Sequence, residues 1–464
     1  MTFYSFSFLA LFAILSIFVG VVPVKFKNAL LFVSGILFYS FGDISHLFVL
    51  ILFCIFTYFA GMLTEKNKSK PLFAFFLVIS FLPLFLYKYL TWLLGLAGIS
   101  FSGVKSLPLG ISFFTFQAVG YLIDVYRGKI KAERNFLSYG LFLSFFPQIT
   151  AGPINSAEQL LPQINNPKKV TFDEYGNGLK NMAHGLFYKV FCSASCGYVV
   201  DLVFGNADKT SSLFLIATVF LYGFQIYWDF NGYTLMARGC AKCLGIEMAE
   251  NFNHPFLSKS ITEFWRRWHI SLSTWFRKYL YFPLGGSRCS AFRASLNMLI
   301  VFAVSGIWHG ADMTFLIWGL INGVFLVLEK RLNFYDNAEK GKKRSVLGWI
   351  YTYLVVNAAW LFFRADNLKQ AVNYIGLIAK DWKMSPLPSY FISTTPLIKL
   401  AFTALGIACT IFIDIYEEKK KSSFADIISA KKPYVRWIVY IILLVLPLCF
   451  GEYGNTSTFI YSRF

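Results

Sequence analysis

Long apolar runs separated by short polar connectors dominate the chain. Roughly 20 helical residues cross the hydrocarbon core of a bilayer, and many of these runs reach or approach that length. They lie at 3–24, 28–41, 45–63, 71–94, 107–126, 213–230, 296–307, 313–329, 346–363, 397–416 and 436–451. The pattern predicts an all-α, polytopic membrane protein with about 11 transmembrane or re-entrant helices. The first run has no basic start and no small-residue cleavage site, so we expect a membrane span there and not a removable signal.

Composition excludes several other classes of protein. Of the 464 residues, 56% are hydrophobic, 19% are aromatic and only 14% are charged. Soluble domains carry about 25% charged residues. A chain this apolar cannot cover its surface with polar groups, so its outer surface must face lipid. A disordered chain, a collagen-like fibre and an ordinary cytosolic enzyme are therefore excluded.

The formal net charge of +19 has to be explained in this context. In a soluble domain such an excess suggests nucleic-acid binding. Here the basic residues lie in short loops such as 66–70 and 342–344, and no separate basic domain exists. This favours orientation by the positive-inside rule and contact with anionic lipid, and we expect no nucleic-acid partner.

The alternation of basic and non-basic loops predicts a topology. It places the N-terminus and the C-terminal tail, 452–464, outside the cell. The basic loops then lie in the cytoplasm, at 25–27, 64–70, 127–135, 330–344 and 417–433.

The eight cysteines are scattered, and only Cys240 and Cys243 have C-x-x-C spacing. A zinc site needs a second Cys or His pair, and a thioredoxin site needs a βαβ context. The sequence offers neither. We therefore expect packing residues in membrane helices, and no metal site.

Residues 140–300 interrupt the regular pattern. Polar and small residues break the apolar runs at 147–148, 151–153, 229–232 and 284–286. Irregular backbone at membrane depth is tolerated only where it is buried in protein or lines a cavity. We therefore expect this region to be the core of a single membrane-embedded domain spanning 1–464.

His309 stands between two apolar runs, in a connection too short and too apolar for an exposed loop. We place it within the protein at membrane depth, where an ionisable residue is a functional candidate by default. Burial disfavours imidazolium, so we expect a neutral ring that can accept a proton. A histidine that only hydrogen-bonds a neighbouring helix fits the local sequence equally well.

His269 lies in a second unusual segment, 261–280. Ser260 or Thr262 can cap this segment, and apolar residues recur at helical spacing, which predicts one amphipathic helix. Its basic face carries Arg266, Arg267, Arg277 and Lys278. Two functions stay open. The helix could lie at the cytoplasmic interface, or its guanidinium groups could bind the phosphates of an anionic donor.

Four blocks of sequence within 107–325 form a recognisable pattern. They are 109–117 with 123–128, 145–148 with 151–154, 229–233 with 250–253, 264–273 and 279–286, and 308–310 with 314–315 and 318–319. The long third block, which includes FWRRWHISLS, is highly specific, whereas WHG at 308–310 alone is weak. Together the blocks resemble the membrane-bound O-acyltransferases, and within them the bacterial alginate- and peptidoglycan-type O-acetyltransferases. The C-terminal residues 459–461 are also similar.

The resemblance implies a fold, a reaction and site residues. His309 matches the family's invariant catalytic histidine, and His269 matches the second histidine, usually on the cytoplasmic side of a central funnel or tunnel. Acetyl from acetyl-CoA would move toward an extracytoplasmic hydroxyl across a bacterial cytoplasmic membrane, with no bound cofactor. We assign donor binding to Trp265, Arg266, Arg267 and Trp268, and a tunnel or oxyanion role to Gln148, Asn251 or Trp308. The chain departs from the family at Leu235 and Lys278, where acidic residues are frequent, and at Asn322, where many members have histidine.

The resemblance also implies a partner. Members commonly pass the acyl group to a separate extracytoplasmic transferase of the SGNH type, and this chain shows no such domain. We predict such a partner, with the tail 452–464 as a contact. D-alanyl transfer from a carrier protein to a cell-wall polymer is a close alternative. A transporter or flippase would share the apolar runs and basic loops, but His309 would then be dispensable or serve only proton coupling.

Overall fold

The described part of the protein is predominantly helical. The computed structural model describes residues 3–100, 103, 106–332, 346–380, 382, 389–391 and 394–453. Within these residues the only extended pairing is an isolated antiparallel bridge between Phe252 and Trp268. The all-α prediction is confirmed.

The first of two compact units contains the described residues up to 182 together with 234–250. Its helices are α1 (Phe6–Val21), α2 (Lys27–Asp43), α3 (Leu47–Asn67), α4 (Lys70–Leu84), α5 (Leu90–Leu96), α6 (Ile111–Tyr126), α7 (Phe136–Ser144), α8 (Phe146–Ile149), α9 (Ala157–Asn165) and the start of α10 (Phe172–Leu186). Helix α6 packs on α3 and α4, and nearly all its side chains are buried. A helix that is apolar on every side is suited to such a central place.

The second unit contains 183–233 and the described residues from 251 onward. Its helices are α11 (Ala194–Phe204), α12 (Ser212–Cys243, whose last residues belong to the first unit), α13 (Ile261–Arg267), α14 (Ile270–Phe276), α15 (Ala291–His309), α16 (Met313–Arg331), α17 (Val346–Arg364), α18 (Leu368–Lys380), α19 (Thr394–Lys420), α20 (Phe424–Ser429) and α21 (Pro433–Phe450). The most extensive helix contact of this unit joins α15 to α16, and α16 also packs on α17.

Several short helical pieces complete the two units. The π-helical segments are Phe85–Tyr89, Phe187–Ser193 and Arg277–Tyr281. The 3-10 turns are Val24–Phe26, Ile44–His46, Ala207–Lys209, Pro255–Leu257 and Ser389–Phe391.

Nine stretches of the described residues are long and apolar enough to cross a bilayer. They are Val24–Asn67, Lys70–Leu96, Phe172–Phe204, Ser212–Cys243, Ala291–His309, Met313–Arg331, Val346–Arg364, Thr395–Lys420 and Pro433–Phe450, and α1 and α6 are shorter apolar helices. The multi-pass prediction is therefore confirmed. The orientation of the termini stays a prediction, and most of the loop 330–344 and of the tail 452–464 lies outside the described residues.

The stretch Phe172–Phe204 is absent from the predicted apolar runs. Its first half carries charged side chains, including Asp173 and Glu174, and Lys189 interrupts the second half. Local hydropathy therefore misses it. The fold accommodates the buried lysine through an ion pair with Asp229 of α12.

Candidate active site

The segment around His269 is a broken helix. The prediction of one continuous helix over 261–280 is wrong, because α13 ends at Arg267 and α14 begins at Ile270. His269 separates the two with a φ of 44°. This left-handed conformation is unfavourable for residues other than glycine, and persists where the surroundings fix it.

A short extended segment before α13 holds the break in place. The Asn253 N–H donates to the Arg267 carbonyl at 3.0 Å, and the Ile270 N–H donates to the Asn251 carbonyl at 3.0 Å. Asn251 Oδ1 also accepts from the Ser271 hydroxyl at 2.6 Å. These bonds lie on both sides of the histidine and fix its backbone conformation.

The N-terminus of α13 is capped twice. Ser260 Oγ accepts from the Glu263 N–H at 3.0 Å, which confirms one of the two predicted caps. The buried carboxylate of Glu329, near the end of α16, accepts from the N–H groups of Ile261 at 2.6 Å and Thr262 at 2.8 Å. The first N–H groups of a helix have no partners within the helix, and an anion there is favoured by the helix dipole. Glu329 therefore ties α16 to the histidine-bearing segment.

His309 is the last residue of α15, and the packing of α15 on α16 fixes its place. A Cβ on Gly306 would lie 2.3 Å from the Phe315 carbonyl oxygen, and a Cβ on Gly319 would lie 2.2 Å from the Phe302 carbonyl oxygen. The two backbones are thus in direct contact. Small residues at such positions allow close helix packing in membranes.

The two histidines meet in a cage of aromatic rings within the second unit. Their ring centroids are 6.1 Å apart, and His269 and His309 are only 1% and 4% exposed. The ring of His269 contacts Phe230 edge to face at 4.7 Å. His309 contacts Trp318 at 5.1 Å and Phe363 at 5.4 Å. The fold thus brings together the two histidines that the sequence singled out.

The protonation state of His269 follows from its surroundings. Burial lowers the pKa of His269 to about 3, because an imidazolium is unfavourable in an apolar environment. The ring is therefore neutral at physiological pH. A neutral imidazole has one nitrogen that can accept a proton or a hydrogen bond and one that can donate.

The three predicted tryptophans occupy different places. The Trp308 ring lies 5.0 Å from that of His309 and 6.1 Å from that of His269. Trp265 Nε1 donates to Asn322 Oδ1 at 3.2 Å. Trp268 is buried and stacked in the core of the unit. Trp308 therefore lines the histidine pair, whereas Trp268 has the surroundings of a packing residue.

The two predicted donor-binding arginines also differ. Arg267 pairs with Glu263 at 3.0 Å and with both oxygens of Glu418 at 3.0 Å. Arg266 is exposed. The guanidinium of Arg267 is thus used to hold α13 to α19, and Arg266 is the more accessible of the two for a ligand.

The predicted oxyanion donors can be compared in the same way. Asn251 Nδ2 is buried and, within the described part of the chain, donates to no acceptor. Gln148 belongs to the first unit, where its Nε2 donates to the Phe142 carbonyl and its Oε1 accepts from Asn155 at 3.1 Å. The Nδ2 group of Asn251 can therefore donate a hydrogen bond to a ligand beside the helix break.

One group of described residues has the composition of a metal site. Ligand atoms of His254, Asp414 and Glu417 lie within 4.8 Å of one another. Burial alone would lower the pKa of His254, but the hydrogen bond and charge of Asp414, at 3.2 Å, raise it overall. The contact between His254 Nδ1 and Asp414 holds the chain before α13 to α19.

Comparison with known proteins places the chain in a family. The family described as MBOAT, membrane-bound O-acyltransferase family, matches residues 129–364, which is half of the chain and includes both histidines. The chain belongs to the membrane-bound O-acyltransferase family. It is therefore a multi-pass membrane acyltransferase, and the predicted family and branch are confirmed.

Three relatives show the range of named activities around this acyltransferase. It is 34% identical to the "Probable alginate O-acetylase AlgI" of Azotobacter vinelandii over 86% of this chain and 83% of that protein. It is 32% identical to the "Peptidoglycan O-acetyltransferase" of Helicobacter pylori over 75% and 73%. It is 31% identical to the "Teichoic acid D-alanyltransferase" of Bacillus subtilis over 62% and 77%.

Sequence reasoning missed several residues around the histidine pair. Phe363 stands in an apolar run rich in other aromatic residues, so nothing local distinguishes it. Phe230 lies in the block 229–233, but no feature of the sequence assigns this ring to the site. Glu329 did carry a signal, because it is a lone carboxylate at the end of an apolar run.

Proposed function

We propose that the protein moves an acetyl group from a cytoplasmic thioester donor, acetyl-CoA, across the membrane toward an extracytoplasmic hydroxyl. The product would be an O-acetylated polysaccharide or cell wall. The observation that carries this proposal is the pair of imidazoles, 6.1 Å apart, inside one buried aromatic cage. The two relatives named for O-acetylation match more of this chain than the D-alanyltransferase does.

The proposed chemistry begins at His309. A hydroxyl is a weak nucleophile until a base accepts its proton, and an imidazole can accept it. The hydroxyl oxygen then attacks the thioester carbonyl carbon, the C–S bond breaks, and the departing thiolate takes the proton from His309. Aromatic walls such as Trp308 keep water away, so hydrolysis of the thioester is suppressed.

His269 and Asn251 assist this step. His269 is neutral at pH 7 and can hydrogen-bond a reacting group without adding a buried charge. The buried Nδ2 of Asn251 supplies a hydrogen-bond donor for the oxyanion that forms on the carbonyl oxygen. A funnel or tunnel through which donor and acceptor reach the histidines from opposite faces is part of the proposal.

The donor would approach along α13. Arg266 is exposed and can bind a phosphate of acetyl-CoA. In the proposal Arg267, Trp265 and Trp268 act mainly by holding this helix in place, because their polar groups and rings contact the protein.

We further propose a bacterial cytoplasmic membrane location, with both termini outside and the basic loops against anionic lipid. An SGNH-type transferase outside the membrane would accept the acyl group and complete the transfer. The tail 452–464 is the proposed contact for this partner.

D-alanyl transfer from a carrier protein to a cell-wall polymer is the second candidate. The resemblance to the "Teichoic acid D-alanyltransferase" of Bacillus subtilis favours it. The two candidates share the histidine pair and differ in the donor, so they can be separated by offering either acetyl-CoA or a D-alanyl-charged carrier.

The deciding experiment uses purified protein in lipid vesicles with radiolabelled acetyl-CoA and the acceptor or partner. We expect label transfer by the wild type and its loss in His309→Ala. His46→Ala is the matched control, because His46 belongs to the first unit, where it pairs with Asp43. The unfolding temperature of each variant shows whether it is folded.

The outcomes separate the hypotheses. Label transfer by a folded His309→Ala protein would contradict the site assignment. If no form transfers acetyl with the partner present, but D-alanyl is transferred from the carrier, the second candidate is favoured. If no thioester of either kind is consumed, both proposed donors are wrong.

A further inference from the structure

A buried ion pair lies within two of the membrane-crossing stretches and takes no part in the chemistry above. Lys189 and Asp229 are in contact, and their side chains are only 2% and 4% exposed. The Ser193 hydroxyl also donates to Asp229 Oδ1, at 3.4 Å. Burying an ionisable residue within a membrane-spanning segment costs free energy, and such residues usually serve a function.

The lysine lies in the π-helical segment Phe187–Ser193. Such segments are rare and are frequently found at functional sites. Helix α12 packs closely on this π-helical segment, because a Cβ on Gly232 of α12 would lie 2.8 Å from the Lys189 backbone nitrogen. The Val190 carbonyl accepts from the Glu452 N–H at 3.2 Å. Helix α12 therefore crosses the π-helical segment with no space between the backbones.

The pair is also next to the histidine cage. Asp229 is followed by Phe230, whose ring packs edge to face on His269 at 4.7 Å. The Phe230 ring also contacts Phe252, with the two ring centroids 5.2 Å apart. A shift of α12 along its axis would therefore move Phe230 relative to His269.

We propose that Lys189 and Asp229 are a positioning pair for the active site, which sets the register of α12 against the π-helical segment. Lipid chains are as apolar as leucine, so contacts between apolar helices tolerate sliding. A buried ion pair is directional, and setting a register is the best-attested use of such groups. This inference rests on the proposed function, since it assigns the pair to the same histidine site.

The test replaces the ion pair by apolar groups. Lys189→Met and Asp229→Leu are made singly and together. Each single variant leaves one buried charge without its partner, so we expect a lower unfolding temperature. The double variant removes both charges, and we expect it to fold. Its kcat for acetyl transfer should fall about tenfold or more while the KM for acetyl-CoA stays within about twofold.

A second set of variants keeps the charges. Lys189→Arg and Asp229→Glu retain an ion pair but change its length, so they should fold and still lose kcat. The double variant Arg134→Met with Glu65→Leu is the matched control, because this ion pair belongs to the first unit and is less buried. We expect the control to keep the kcat of the wild type.

One readout is independent of turnover. In protein labelled with 13C-histidine, the His269 ring signal reports the edge-to-face contact with Phe230. We expect it to shift in the Lys189–Asp229 variants and not in the control. An unshifted signal in folded variants, or full kcat in the apolar double variant, would show that the pair only stabilises the fold. If the wild type transfers no acetyl group, the proposed function fails, and the histidine signal still decides the positioning of the ring.

Discussion

Gly306→Ala tests whether the contact of α15 with α16 sets the position of His309. The added Cβ would lie 2.3 Å from the Phe315 carbonyl oxygen, whereas ordinary van der Waals contact begins near 3.4 Å. A backbone oxygen cannot rotate away as a flexible side chain can. We therefore expect the helices to separate by about 1 Å at this point, three residues before the histidine.

The magnitude follows from two opposing effects. Overpacking a tight contact destabilises by about 1–3 kcal/mol. Replacing glycine by alanine inside a helix stabilises by up to about 1 kcal/mol. The expected net loss is about 1–2 kcal/mol, which a folded membrane protein survives. Catalysis is more sensitive, because misplacing a reacting group by about 1 Å can slow the reaction about 100-fold.

The assay compares thermal unfolding in detergent with acetyl transfer in vesicles. Gly376→Ala in α18 is the matched control, because no described atom lies within 4 Å of its added Cβ. We expect the control to be as stable as the wild type or slightly more stable, with full transfer. If Gly306→Ala matches the control in both stability and rate, then this helix contact does not position His309 and the reasoning is refuted.

Three further predictions concern the histidine-bearing segment. Glu329→Gln weakens the cap of α13 and should lower the unfolding free energy by about 1–2 kcal/mol, measured by thermal unfolding, with a reduced transfer rate; unchanged values would show that the cap is dispensable. For His269 the folded pKa of about 3 lies below the unfolded value of 6.5, so its contribution to stability is complete above pH 6.5 and is lost as the pH falls. The unfolding free energy should fall by about 2 kcal/mol between pH 6.5 and pH 5. In His269→Asn this fall should be absent when the unfolding free energy is measured against pH. Arg266→Gln should raise the KM for acetyl-CoA and leave the KM for the acceptor unchanged, whereas Arg267→Gln should mainly lower the unfolding temperature. If the KM for acetyl-CoA does not change in Arg266→Gln, α13 does not bind the donor and serves only as an interfacial helix.

The parts of the fold that local physics dictates could be predicted from the sequence. Lipid offers no hydrogen-bond partners, so an apolar run long enough to cross the bilayer must be helical. This argument found most of the crossing stretches. It also predicted that His309 lies within the protein between two apolar runs, and the structure makes it the buried last residue of α15.

The parts that depend on distant residues could not be predicted. The break at His269 exists because Asn251 and Asn253 bond to the backbone on either side of it. The spacing of apolar residues within 261–280 carries no information about the segment 251–253. The same holds for Arg267, whose partner Glu418 is 151 residues away. The sequence pattern marked this arginine as a ligand-binding group, and the fold gives it a partner within the protein.

The cap that Glu329 places on α13 has a consequence for biosynthesis. The ribosome synthesises the segment with His269 before it synthesises the end of α16. The N–H groups of Ile261 and Thr262 therefore cannot bond to the Glu329 carboxylate until α16 is complete. A nascent chain released before residue 329 would carry both imidazoles without the acid that orients the first of them. We therefore expect the histidine site to mature late, after the α15–α16 hairpin has entered the bilayer.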